Sequence, residues 1–169
     1  LTYLFRVAPL CAALFQQLNG PAVLLHFIKH TDNLQHIESA LRVLRHLVQS
    51  HRHLGLSMGN CEAVSVSRAR FEDVNMPQDL RQEAVATLHA LCTSCKDNLQ
   101  RVEAEGTVVT VAKEIYRLRD VEPLLPNYFV MEMVSFMWTV VMDSPSALKV
   151  FLLADGACSS SCTGTLCWK

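Results

Sequence analysis

The chain has 169 residues, half of them apolar and 18% charged, which is enough material for one substantial core. A disordered, collagen-like or low-complexity chain is excluded. Its 15 basic and 16 acidic residues leave a formal net charge of −1, which excludes nucleic-acid binding by bulk charge alone. Seven cysteines, an odd number scattered among six methionines, read as reduced thiols in an intracellular protein, cytoplasmic or nuclear.

The first segment is apolar but broken. Residues 7 to 28 carry no Asp, Glu, Lys or Arg, yet Gln16, Gln17, Asn19, Gly20 and Pro21 interrupt them, so no membrane span is expected. Leu1–Phe15 resembles a signal-peptide core in composition, but no small-residue cleavage site comes after it. With no initiator Met, the sequence is expected to be a piece of a longer protein or a processed chain.

Helical periodicity dominates the rest of the chain. Leu34, Ile37, Leu41, Leu44, Leu47 and Val48 make one apolar face, and Asp32 with Gln35 gives a helix-start signal. A second long helix begins near Gln78, with Asp79 and Gln82 repeating that signal and Leu80, Ala84, Val85, Leu88, Leu91 and Cys92 forming the stripe. A third, from about Pro126 to Met142, is apolar almost all round and is expected to be buried on every side, Phe136 and Trp138 included. Strand signals are poor; apolar and polar residues alternate only around Ala63–Val66. Ser144-Pro145 reads as an N-cap followed by a first-turn proline, opening a helix over 146–154.

Glycine junctions recur at Gly20, Gly59, Gly106 and Gly156, in steps of 39, 47 and 50 residues. A glycine in the left-handed conformation can end one helix and release the chain into the next. Recurrence at roughly 40–50 residues is the mark of a helical solenoid.

In this register the residues resemble a known family. Leu80–Leu118 (LRQEAVATLHALCTSCKDNLQRVEAEGTVVTVAKEIYRL) is similar to part of an armadillo repeat: a long third helix, then short NLQRVEAEG and TVVTVAKEI helices. Gly20–Ser50 and Phe129–Ala157 fit the same plan, and HEAT repeats share its stacking physics with two helices instead of three. The resemblance implies an all-α, right-handed solenoid of about three irregular units, near 20–50, 59–94 and 106–142, within a helical segment spanning 1–157. Residues 158–169, rich in Ser and Cys, are expected to be a disordered tail. Peptide-binding armadillo proteins carry Trp and Asn ladders on their third helices. The matching positions here are Arg42, Ala86 and Ser135, then His46, Ala90 and Thr139, so the ladder is missing.

No sequence pattern supports catalysis: there is no phosphate loop, dinucleotide fingerprint, HExxH or G-x-S-x-G. Cys92-Thr-Ser-Cys95 closes a helix and lacks nearby partners for a metal, Cys158, Cys162 and Cys167 being distant in the tail, so buried thiols are expected. His26 and His30 share a helix face without an acidic third ligand. The dense basic stretch of Arg42, Arg45, His46, His51, Arg52 and His53 either faces a partner or is a solvated surface balanced by Glu38 and acids of neighbouring units. We therefore expect a non-enzymatic protein-interaction scaffold without cofactor or metal. Its candidate partner groove comprises Arg42, Arg45, His46, Arg52, His89, Ser135 and Thr139. Expected partners are proteins and the adjacent repeats of a longer chain. The alternative is an adaptor whose basic groove contacts nucleic acid or an acidic partner.

Overall fold

The computed structural model describes residues 9–119 and 127–159, with side chains for 11–118 and 127–153. The described residues form ten α-helices and no strand: α1 (Pro9–Gln17), α2 (Gly20–His30), α3 (Leu34–Ser50), α4 (His53–Asn60), α5 (Ala63–Glu72), α6 (Gln78–Ser94), α7 (Lys96–Ala104), α8 (Thr107–Arg119), α9 (Tyr128–Asp143) and α10 (Pro145–Ser159). They fall into threes by length. A short helix opens each triad, at Pro9, His53 and Lys96, and a helix of 16 or 17 residues closes it.

Local chemistry explains most boundaries. The Asn33 side chain caps α3 by accepting a hydrogen bond from the His36 N–H at 3.2 Å, so the start signal sits one residue after Asp32. Asn127 caps α9 the same way, accepting from the Phe129 N–H at 2.9 Å, while the expected start at Pro126 lies outside the described residues. Ser144 caps α10 through the Ala147 N–H, and Pro145 occupies its first position. That helix continues through Ser159, past its expected end at 154 and into the expected tail from 158; the remainder of that tail lies outside the described residues.

The left-handed junctions differ from the expected ones. They are Asn19, Glu62 and Gly106, at 43- and 44-residue intervals, rather than Gly20, Gly59 and Gly106. Asn tolerates this conformation and one such residue per junction is enough, so Gly20 is free to open α2 instead. Gly59 serves close approach: a Cβ there would overlap the Asn98 amide and Arg101 of α7. Gly156 lies inside α10 and makes no junction. The short alternation at Ala63–Val66 begins helix α5, whose neighbours bury Ala63, Val64, Val66 and Ser67.

Packing centres on α6, which lies between α3 and α9 and against α5. Eleven of its residues are buried, from Leu80 to Cys92, and Ala84, Ala86, Thr87 and Ala90 let the flanking helices come close. Fully buried Leu and Phe side chains along these helices each contribute about 1.5–3 kcal/mol. The expectation for α9 is corrected. Phe129, Met133, Phe136, Met137 and Val140 are buried, but Tyr128, Met131, Val134, Trp138 and Met142 are exposed, Trp138 at 68%. Greasiness does not decide burial here; α6 packs against two long helices, α3 and α9, whereas among the described residues α9 packs against one long closing helix, α6, together with α8 and α10.

One charged group is sunk into this core. Arg81 donates from Nε to the Phe71 carbonyl at 2.8 Å, and its Nη2 meets Glu114 Oε1 at 2.8 Å. Its guanidinium carbon lies 5.3 Å from both the Phe71 and the Phe129 ring centres. This joins α5, α6, α8 and α9 at one point. The bidentate hydrogen bonds from Arg117, together with Arg81, hold the Glu114 carboxyl below its ordinary range against the opposing effect of burial.

No single helix among the described residues is long and apolar enough to cross a membrane, although Cys11–Gln17 and Gly20–His30 pass together as a pair bent by 74°.

Removing one member of a buried ion pair strands the other, so Arg81→Ala is expected to cost about 3–5 kcal/mol in denaturant unfolding. The double change Arg81→Met with Glu114→Leu should cost less than either removal alone. Because the folded-state pKa of Glu114 is depressed, its contribution is present above the ordinary glutamate range and lost as pH falls through the folded value. Stability measured down an acid series should therefore fall less steeply in Glu114→Gln than in wild type.

Candidate functional site

Helices α3, α6 and α9 carry the candidate groove residues. Counted back from each helix end, Arg42, Ala86 and Ser135 occupy one register, and His46, Ala90 and Thr139 another. In the middle helix both positions are alanines buried beneath their neighbours. On α9, Ser135 is exposed and its hydroxyl donates back to the Met131 carbonyl at 2.9 Å.

The arginines on α3 are ion-paired. Arg45 donates from Nε to Glu83 Oε1 at 2.6 Å and from Nη2 to Oε2 at 3.3 Å. Arg42 reaches Glu38 one turn back on its own helix and comes within 3.7 Å of Glu83 Oε2. Glu83 is buried, so its carboxylate is placed to neutralise both cations from between the packed helices. Both expected sources of acid are present, Glu38 on the same helix and Glu83 on the neighbouring one. Arg52 stands apart as an exposed residue at the start of α4, and His46 is half-buried on α3.

Across the next junction His89 does the joining. Its Nδ1 is 3.0 Å from Glu132 Oε1 and its Nε2 is 3.0 Å from the Thr139 hydroxyl. A neutral ring satisfies both by donating to the carboxylate and accepting from the hydroxyl. The structure therefore brings together Arg42 with Arg45, and His89 with Thr139, in two separate clusters. Sequence reasoning missed Glu83 and Glu132, which hold them; the acidic residue inside the apolar stripe of α6 was the available signal.

Similar bonds run from triad to triad elsewhere. Asn98 donates to the Gly55 carbonyl, Arg101 to Asn60, Arg70 to the Ile28 carbonyl and Ser146 to Glu103, joining residues 41 to 43 apart in sequence. Thr87 reaches the Leu41 carbonyl across 46 residues, and Gln78 reaches Asn127 across 49.

The thiol and imidazole pairs have simple settings. Cys92 is buried in α6, and burial pushes its thiol up to about 12, with the Glu103 carboxylate adding to the effect. Cys95 is half-buried at the end of that helix, and both thiols are free. The His26 and His30 rings lie 4.2 Å apart, tilted by 40°, on an exposed face of α2. No group of three or more His, Cys, Asp or Glu residues placed to hold a metal ion occurs among the described residues.

A cleft of about 260 Å³ opens between α5 and α8, lined by Glu72, Arg81, Thr110, Lys113, Glu114 and Arg117. Its charges are largely spent on one another through the Arg81–Glu114–Arg117 bonds.

No family model matches the chain, and no curated protein matches it.

A thiol held near pKa 12 in a closed helix has almost no thiolate at neutral pH. Native alkylation should therefore modify half-buried Cys61 and Cys95 while sparing Cys92 until the protein is unfolded. Rapid native labelling of Cys92, read by peptide mass mapping, would contradict its placement.

Proposed function

We propose that the chain is a short right-handed α-solenoid of three irregular armadillo-like units and serves as a non-enzymatic protein-interaction scaffold inside the cell. The observation that carries the reading is register. Short opening helices start at Pro9, His53 and Lys96, and left-handed junctions fall at Asn19, Glu62 and Gly106. The bonds between triads span one such interval. Units that bond chiefly to the next unit in line form an extended stack, and an extended stack offers area rather than an enclosed site.

The binding face in this reading runs along α3, α6 and α9. Arg42 and Ser135 supply the exposed polar contacts, and the closed alanines Ala86 and Ala90 supply a shallow floor. Because Glu38 and Glu83 neutralise the arginines, the face suits a polar, extended polypeptide better than a polyanion. Its rigidity matters for affinity. Side chains already tied in place lose little further freedom on binding.

Selection of peptides from a displayed random library on the immobilised protein tests this. Peptides enriched on wild type should bind Arg42→Glu, Ser135→Arg protein on the order of tenfold more weakly, the ~1.4 kcal/mol of one lost anchoring contact. Arg42→Glu sets a third carboxylate beside Glu38 and Glu83 and should lower the melting temperature, so circular dichroism at the binding temperature checks that the double variant is still folded. No enrichment, or equal affinity for the double variant, would remove the reading.

A further inference from the structure

Asn19 and Gly20 form the only Asn-Gly pair in the chain, and the fold demands both residues. Asn19 joins α1 to α2 at φ 57 and ψ 26, a left-handed conformation that Asn and Gly adopt at least cost. Gly20 is buried, and a Cβ there would overlap the ring of Phe15 on α1. The later junctions do not combine these two needs, since Ala63 follows Glu62 and Thr107 follows Gly106.

The six asparagines differ in what their side chains do. Asn33 and Asn127 cap helices, Asn75 is bonded to Asp73, Asn60 accepts from Arg101, and Asn98 donates to the Gly55 and Leu91 carbonyls. The Asn19 side chain is exposed and has no hydrogen-bond partner among the described residues. The Gly20 N–H lies in the first turn of α2, where no intrahelical carbonyl is available to it. Glu62 holds the equivalent place in the next triad, with helices of earlier and later triads around it, and its side chain is still 68% exposed. This junction position therefore faces outward even inside the fold.

We propose that Asn19-Gly20 is a site of spontaneous covalent modification, at which the α1–α2 junction converts slowly from asparagine to aspartate and isoaspartate. The Gly20 amide nitrogen attacks Asn19 Cγ. The new N–Cγ bond closes a five-membered succinimide, the Cγ–Nδ2 bond breaks, and the side-chain nitrogen departs as ammonia with the Gly20 amide proton. Water then adds to either ring carbonyl. Breaking the ring bond at Cγ gives ordinary aspartate; breaking it at the main-chain carbonyl carbon gives isoaspartate, with the backbone rerouted through Cγ. One water enters and one ammonia leaves. Gly20 permits the attack because no side chain shields its nitrogen.

The structure also sets the pace. At ψ 26 the Gly20 nitrogen is turned away from the Asn19 side chain, so ring closure requires rotation about the Cα–C bond. That rotation breaks the 3.2 Å bond from the Val23 N–H to the Asn19 carbonyl. The reaction therefore gauges how often the start of α2 opens. Isoaspartate adds a methylene to the main chain at the joint through which α1 packs on α2, so α1 is held less firmly once it forms.

Peptide mass mapping of the full chain after weeks at neutral pH and physiological temperature tests the site. The peptide containing residues 19–20 should gain one mass unit and split into aspartate and isoaspartate forms on reversed-phase separation. Peptides containing Asn33, Asn60 and Asn98 should stay unchanged. Protein kept in denaturant should react faster at residues 19–20, because no closed junction restrains it. Asn19→Gly keeps the left-handed joint and cannot react, so after ageing it should retain hydrogen-exchange protection in α1 that aged wild type loses. The site is overturned if the native 19–20 peptide gains no mass, if the other asparagines gain it equally, or if aspartate appears without isoaspartate. Equal loss of α1 protection in aged Asn19→Gly would overturn the effect on the joint.

Discussion

The structure depends on burying α6 along most of its surface. A helix with neighbours on opposite flanks must present small or satisfied side chains in nearly every direction. The sequence provides this with Ala84, Ala86, Thr87 and Ala90, which allow close approach, and with Glu83 and Arg81, whose charges are met from adjoining helices. The Arg81 guanidinium is the tightest expression of the constraint. Held between the Phe71 and Phe129 rings and paired with Glu114, it fixes four helices relative to one another. A buried ion pair of this kind costs much to break and little to replace as a whole, so its main contribution is to geometry rather than to net stability.

From this helix outward, order is passed by local contacts. The side-chain bonds between triads act like rungs, each tying a residue to one about a unit away: Asn98 to Gly55, His89 to Glu132, Ser146 to Glu103. Polar rungs supply register, because a slip by one residue breaks several at once. Apolar stripes supply most of the stabilising free energy, through the surface they remove from water.

Much of the secondary structure was legible because it rests on periodicity. The stripes of α3 and α6 and the helical character of α9 follow from spacing, and Ser144-Pro145 follows from capping chemistry. Helices α4 and α5 were not legible. The former is a run of His, Gly, Leu and Ser whose burial depends on Ser94 at the end of α6 filling the space above Gly55 and on α7 filling that above Gly59, and the latter buries Ser67 along with its valines. Exposure on α9 was misjudged for a related reason: composition describes what a helix can bury, while the helices packed around it decide what it does bury. The candidate groove was half legible. Position along the helix marked Arg42, Arg45, His89 and Thr139, and Glu38 is a local partner of Arg42, but the carboxylates that hold Arg45 and His89 come from residues 38 and 43 away. No local pattern announces a partner at that distance.

The proposed stacking of units implies that stability is greatest at α6 and declines toward both ends. Residue-resolved amide hydrogen exchange tests it most directly, since local opening energies follow how much packing each segment shares. A stack of this kind should show slowest exchange in α6, intermediate exchange in α3, α5 and α8, and fastest exchange in α1 and α10. Equal protection in all ten helices, lost in one global step, would contradict it.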